Sequence, residues 1–477
     1  MKRVKELLEK MSSPALFSAN EFEIKGVKGA LVAAVNLCDS TTVLEILRDI
    51  KQFPPKKANY ESLKIEVLQN LETTISLTSE EQVNKLLSGD GLLFLNGQDG
   101  CLVLSVRKYT TRAVAEPPTS GVIRGPREGF IEDIRTNLSL VERKLRSPHL
   151  KVERLVVGRR TATNVAIVYI EGIARKDLTE SIYDKIRGID IDGVLDTHYI
   201  QEFLDERPRS IFPQSGVSEK PDVIVSKMLE GRVAVFVDGS PMVATVPYLL
   251  LEELQSGEDY YERPTYISVL RIIRTMALAL GILLPGLFVA LQEFHVDVFP
   301  QKMMLTILNA VEGIPIPPFG EIMFVLFIFE IIREAGVRMP QAMGLAMSVV
   351  GALVLGDTAV KAGFMSSPAV MVVALSSISL YTVPGGVGTT SLLRLIFTLI
   401  GGIAGLYGLL IGSLFLVMYL CNLDNYGSPY LAPFAPHLKA DFKDGLIKAP
   451  IVEMETRPKS IPNENNRRMS NYGQNKF

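Results

Sequence analysis

The chain has 477 residues, of which 21% are charged and 47% hydrophobic, with a formal net charge of −2 at pH 7. A balance so close to zero gives no footing for nucleic-acid binding, which rests on clustered cations. Three widely spaced cysteines (Cys38, Cys101, Cys421) and four scattered histidines leave no disulfide framework and no metal centre of familiar ligand spacing.

Charge is divided unevenly along the chain. Residues 266–421 hold 14 charged side chains in 156 positions, and the other 321 residues carry the remaining 88. A water-soluble portion and a membrane portion are therefore expected in one chain. The opening MKRVKELLEKMSSPALF is basic but has no apolar run of signal-peptide length, so the N-terminal region is expected to stay in the cytoplasm.

Residues 1 to about 75 read as helical, with GVKGALVAAVNL and STTVLEILRDI as amphipathic stretches and FPPKKAN as a break. A repeat follows. KLLSGDGLLFLNGQDGCLVLSV aligns without a gap on KMLEGRVAVFVDGSPMVATV, matching Lys85 with Lys227, Leu87 with Leu229, Gly89 with Gly231, Phe94 with Phe236 and Gly97 with Gly239. Each copy reads as a helix end, a glycine stop and two strands joined by a turn. The pattern predicts two α/β subdomains, 1–115 and 116–262, sharing a helix–β-hairpin unit; the competing reading is chance similarity between two ordinary hairpins.

Between the copies, RGPREGFIEDIRTNLSLVERKLRS predicts a helix with Pro126 in its first turn. Phe130, Ile134, Leu138, Val141 and Leu145 share one face, and Glu142 and Arg146 are spaced as an i,i+4 pair. Its arginines, Arg124, Arg127, Arg135, Arg143 and Arg146, read either as an anion or partner site or, more plainly, as a solvated face. VERLVVG and NVAIVYIEG read as strands, DLTESIYDKIRGI and HYIQEFLDERP as helices. No Walker loop, GxSxG, HExxH or strand-following GxGxxG occurs, so no catalytic, cofactor-binding or metal residues are assigned and no enzyme is expected.

Residues 263–422 form the expected helical transmembrane domain, with full spans at about 267–291, 341–363, 366–384 and 390–421. A fifth stretch, 319–336, is bracketed by Glu321 and Glu330 and is read with the preceding proline-broken segment as re-entrant or interfacial. Glu330 is a possible intramembrane acid, with Arg333 or Arg338 as its partner, and Arg394 is expected to anchor at the headgroups. The tail, 423–477, is lysine- and arginine-rich and expected in the cytoplasm, disordered after about 450.

The stretch GLAMSVVGALVLGDTAVKAG, Gly344 to Gly363, is apolar yet short of bulk. Gly344, Gly351 and Gly356 suit close helix packing. On another face, Ala346, Val350, Leu353 and Asp357 follow at steps of four, three and four. Several such helices round an axis would make a hydrophobic constriction with an acidic rim, which Lys361 could neutralise.

Six further stretches, RGPREGFIEDIRTNLSLVERKL with YIEG, FPQSGVSEKPD, GRVAVFVDGSP, EDYYERPT, REAGVRMP and GSPYLAPF, together resemble the A subunit of the GerA-type nutrient germinant receptors of bacterial spores. Departures are small: Glu258 stands where an aspartate is usual, and SEKPD replaces TERPD. The resemblance implies a multi-pass protein of the inner spore membrane with a cytoplasmic N-terminal domain. It implies partnership with a transporter-like B subunit, which binds the small-molecule nutrient, and a lipoprotein C subunit. It implies oligomerisation into a nutrient-gated channel that releases monovalent cations and starts germination, with a constriction at Leu353. The alternative is a non-conducting, membrane-anchored signalling scaffold. A solute carrier would need repeated halves with a polar midplane site, which this pattern lacks.

Overall fold

The computed structural model describes residues 2–55, 57–69, 71–107, 124–338, 356–383, 385 and 387–469. The first subdomain runs α1 (Lys2–Glu9), β1 (Phe17–Ile24), β2 (Val27–Ala34), α2 (Ser40–Gln52), a short α3 (Tyr60–Ser62), β3 (Thr73–Ser76), α4 (Ser79–Leu87), β4 (Gly91–Leu95) and β5 (Cys101–Leu104). The second runs α5 (Ile134–Lys144), β6 (Leu150–Val157), β7 (Thr163–Ile170), α6 (Lys176–Arg187), α7 (Thr197–Leu204), β8 (Gly216–Ser218), α8 (Pro221–Leu229), β9 (Val233–Val237) and β10 (Val243–Val246). The two sheets are antiparallel, with orders β1-β2-β4-β5-β3 and β6-β7-β9-β10-β8. These orders correspond strand for strand, so the repeat read over one helix and hairpin extends to the whole subdomain. The aligned glycines have matching left-handed backbone: φ is +88° at Gly89 and +110° at Gly231, +86° at Gly97 and +91° at Gly239.

Helices cover both faces of each sheet. Leu31, Leu93, Leu102 and Ile46 pack on one side of the first sheet, and Val4, Leu86, Leu92 and Phe94 on the other. In the second, Val168, Phe236, Leu138 and Met228 oppose Ile167, Val235, Ile182 and Ile200. Each such fully buried side chain contributes roughly 1.5–3 kcal/mol. The all-helical reading of the first 75 residues is corrected here. GVKGALVAAVNL is mostly β2, which lies between β1 and β4 and is buried from Gly29 to Ala34. A strand covered on both faces loses the polar alternation that marks a half-buried one.

A second correction concerns the helix of the Arg-rich stretch. It begins only at Ile134, where the Asp133 carboxylate accepts the Thr136 amide at 2.9 Å, and Pro126 lies outside it. It ends at Lys144, so Glu142 and Arg146 do not pair along a helix. Glu142 instead turns inward, 8% exposed, and accepts a 3.0 Å hydrogen bond from Asn36 Nδ2 of the first subdomain.

The apolar portion comprises α9 (Pro264–Phe294), α10 (Gln301–Val311), α11 (Pro318–Arg338), α12 (Gly356–Lys361), α13 (Ser367–Tyr381) and α14 (Val387–Cys421). By length and composition, α9 and residues 388–421 are long and apolar enough to cross a membrane. The stretch read as re-entrant is one continuous 21-residue helix, α11. The stretch read as a single span, 390–421, is bent back on itself at Gly405, whose φ of 59° and ψ of −150° are open essentially to glycine alone.

Helix geometry makes the reversal plain. Thr389 donates to the Ile211 carbonyl at 2.7 Å and Tyr419 to Ser210 Oγ at 2.9 Å. A straight helix would hold residues 389 and 419 roughly 45 Å apart, yet they touch adjacent residues of one loop. The two arms are about 27 Å and 24 Å long at the α-helical rise. α9 crosses the first arm where Gly286 meets Gly401, and a Cβ on Gly401 would collide with the Gly286 backbone.

The tail also departs from expectation. From residue 451 to 469 it is laid along the second subdomain: Met454, Arg457, Ser460 and Ile461 are buried. The Arg457 guanidinium donates to the Leu229 carbonyl at 2.6 Å, and Asn463 bridges to Ala174.

Candidate functional site

Two polar clusters stand out where soluble and apolar portions meet. The first is built on the foot of α9. Arg271 and Asp259 are both wholly buried, and Arg271 Nε lies 2.8 Å from Asp259 Oδ2. Arg274, one turn on, reaches Asp259 Oδ1 at 2.9 Å. From the tail, Asp444 accepts from Arg271 Nη1 at 2.9 Å and from the Tyr260 hydroxyl at 2.7 Å, while Lys448 donates to the Asp259 carbonyl. Two carboxylates thus face two guanidiniums, and the adjoining segments 250–261 and α9 are tied at one point to the distant 441–448. A charge buried there without its partners would be strongly destabilising.

Beside it, Glu252 takes Lys227 at 2.8 Å and Arg232 at 2.9 Å. Burial disfavours the charge on Glu252, but Arg232 and Lys227 hold its carboxyl below its ordinary range. Burial pushes the Tyr260 hydroxyl well up, and the neighbouring Asp444 carboxylate adds to this, so the hydroxyl remains a donor.

The second cluster joins three apolar helices. Glu330 of α11 pairs with Arg333, one turn on, and lies 3.4 Å from Arg394 Nη2 of α14. Ser391 donates to both Glu330 oxygens at 3.2 and 3.3 Å, and Arg394 Nη1 donates to Ser377 of α13 at 2.9 Å. Arg333 is the partner expected for Glu330; Arg338 pairs with Glu334 instead, at 2.6 Å. Arg394 was expected at the headgroups, but it is 4% exposed and ties α14 to α11 and α13. Multiple partners make a buried charge tolerable.

Of the expected pore face, Ala346, Val350 and Leu353 lie outside the described residues, as do Gly344 and Gly351. Gly356 opens α12. Asp357 follows it, exposed, and its carboxylate is 2.6 Å from Lys361 Nζ. Close helix packing within the described residues uses other glycines: Gly281 faces Leu380, Gly286 meets Gly401, and Gly402 seats Phe319. Of the arginines near α5, Arg124 pairs with Glu262 at 3.0 Å and Arg143 with Glu128. These pairs fit the solvated-face reading better than a convergent anion site. The Arg271–Asp259–Asp444 knot was missed because its parts are 185 residues apart at the extremes; the one local signal is Arg271 and Arg274, spaced i,i+3 at the start of an apolar run.

The chain is similar to several known proteins. The chain is 35% identical over 444 residues to spore germination protein KA of Bacillus subtilis (strain 168), covering 91% of this chain and 81% of that one. It is 30% identical to spore germination protein GerLA of Bacillus cereus over 96% of this chain and 94% of that one. An uncharacterised membrane protein, YfkQ of Bacillus subtilis (strain 168), is 36% identical over 82% of this chain and 78% of its own. Among solved structures, the N-terminal domain of the A subunit of the Bacillus megaterium spore germinant receptor GerK3 matches 52% of this chain and 93% of its own, at 26% identity and a TM-score of 0.40. The family model for the Bacillus/Clostridium GerA spore germination protein matches residues 2–460. The chain therefore belongs to the GerA spore germination protein family.

Proposed function

We propose that this chain is a membrane subunit of a spore germinant receptor that triggers germination, and that its copies gather round an axis as a nutrient-gated channel for monovalent cations. The observation that carries the receptor reading is the family match from residue 2 to residue 460, soluble and apolar portions together. The subunit sits in the inner spore membrane with its N-terminal domain in the cytoplasm. It works with a transporter-like B subunit that holds the nutrient and with a lipoprotein C subunit.

The channel reading is supported by the spacing of Ala346, Val350, Leu353 and Asp357, which sets apolar side chains above an acid along one helix face. The fold supplies a support for such a pore: α9, α11, α13 and α14 pack through glycine contacts and the Glu330 cluster. Widening the constriction by Leu353→Ala is expected to give spores that leak cations and germinate without nutrient. Parental behaviour at normal protein level would refute the pore assignment.

The second reading, a non-conducting scaffold, is favoured by one observation. Lys361 pairs with Asp357 one turn away, which weakens the cation preference of an acidic rim. Reconstitution separates the two readings, because a scaffold passes no K⁺ or Na⁺ in liposomes under any condition.

A further inference from the structure

A cleft of about 380 Å³ opens between α8, the segment leading to α9, and Gly385 in the connection between α13 and α14. Its charges are nearly all engaged. Lys227 and Arg232 are held by Glu252 and Glu230, and the Tyr261 hydroxyl donates to Asp222 Oδ2 at 2.6 Å. Lys220 differs. It is 3% exposed, lines the cleft, and its Nζ has no hydrogen-bond partner and no ion pair among the described residues. Asp222 Oδ1, in the same cleft, also has no partner. Lys220 is in addition the N-cap of α8, its side chain makes no cap hydrogen bond, and Pro221 opens the helix.

A buried ammonium without a counter-charge is strongly unfavourable, and a water molecule can hydrogen-bond it but not neutralise it. The cleft holds many times the roughly 30 Å³ share of one water. An anion seated on Lys220 at the amino end of α8 would satisfy the ammonium and the helix dipole together. The unpartnered Asp222 oxygen asks for a donor from the same ligand, which excludes an acceptor-only anion. We propose that this cleft binds a phosphate group that carries a hydroxyl, with Lys220 and the amino end of α8 holding the phosphate oxygens and Asp222 accepting from the hydroxyl. Inorganic phosphate and the glycerol-bearing headgroup of phosphatidylglycerol both meet this description.

The position gives the site a consequence. Tyr260 and Tyr261 line the cleft, and Tyr260, with Arg271, donates to Asp444 at the foot of α9. An occupant therefore touches the knot that ties the tail to the first apolar helix. The proposal does not rest on the channel reading and is tested by binding alone.

The test uses the full chain, purified in neutral-detergent micelles and separately in phosphatidylcholine nanodiscs, with thermal unfolding as the readout. Inorganic phosphate at matched ionic strength is titrated into the micelles, and phosphatidylglycerol is added to the nanodiscs. Saturable stabilisation of the parent by either probe is expected; a response to phosphate alone assigns a free anion, and a response to the lipid alone assigns a headgroup. Lys220→Met should weaken the binding by about tenfold or more, as for a lost charge-assisted hydrogen bond. The same variant should melt higher than the parent without ligand, because it removes an unpaired buried charge. A parent indifferent to both probes, or a Lys220→Met protein that responds like the parent, overturns the site. If Lys220→Met does not fold, Lys220→Gln decides: phosphate binding weakened about tenfold supports the proposal, and unchanged binding overturns it.

Discussion

Glu142 gives a prediction whose size follows from its surroundings. It is packed where the two subdomains meet, with Asn36 as its hydrogen-bond donor and Arg154 at a distance. Burial pushes its carboxyl from the ordinary 4.5 up to about 7, against the smaller opposing effects of the Asn36 bond and Arg154. Below pH 4.5 both folded and unfolded chains hold the proton, and Glu142 costs nothing. As pH rises from 4.5 towards 7, the unfolded chain ionises freely while the folded one retains the proton, so stability falls; above 7 the penalty is constant. Across that window, at about 1.4 kcal/mol per pH unit, it reaches about 3 kcal/mol. Glu142→Gln keeps an acceptor for Asn36 and removes the titration. The variant should match the parent near pH 4.5 and melt about 6–12 °C higher at pH 8, taking about 2–4 °C per kcal/mol for a soluble region of this size. The assay is thermal unfolding of the full chain in neutral detergent from pH 4.5 to 8.5. Parallel profiles for parent and variant would refute the reasoning, since the carboxyl would then not be responsible for the pH dependence.

Other substitutions probe the apolar portion and its junction. Asp259→Ala leaves Arg271 and Arg274 facing each other with Asp444 as the remaining carboxylate, and should cost about 3–5 kcal/mol. Limited trypsin digestion should then cut at Lys443 or Lys448 far faster than in the parent; an unchanged rate would mean that the knot does not hold the tail. Gly405→Ala places a Cβ in a backbone region closed to it and should cost about 1–3 kcal/mol or open the reversal of α14. A cysteine pair near residues 389 and 419 should crosslink readily in the parent and poorly in that variant. Equal crosslinking would show that the turn tolerates a side chain.

Much of the architecture could be read from residues alone, and the failures have definite causes. The repeat was visible because Gly89, Gly231, Gly97 and Gly239 each need a left-handed backbone, a demand that survives when most other identities drift. The first subdomain's strands were hidden by composition. Alanine and glycine in VKGALVAA let β2 be covered on both faces, and so erased the period of two. The reversal in α14 was hidden by the opposite effect. GGIAG reads as one more close-packing stretch in an apolar run, and only the contacts of Thr389 and Tyr419 with neighbouring residues separate a fold-back from a span. The Glu330–Arg333 pair was legible because it is local, one helical turn apart. Lys220 was not, since a lysine before a proline-led helix is unremarkable until its ammonium is seen to be buried without a partner.

The order in which this chain leaves the ribosome gives the tail a further meaning. Arg271 is made 173 residues before Asp444, the carboxylate that completes its set of partners. Until then α9 carries a guanidinium short of one counter-ion at the place where the apolar portion begins. Synthesis halted at residue 440 would leave that helix foot unsealed and the flank of the second sheet bare. The segment 441–469 thus closes that joint only once it has itself been made.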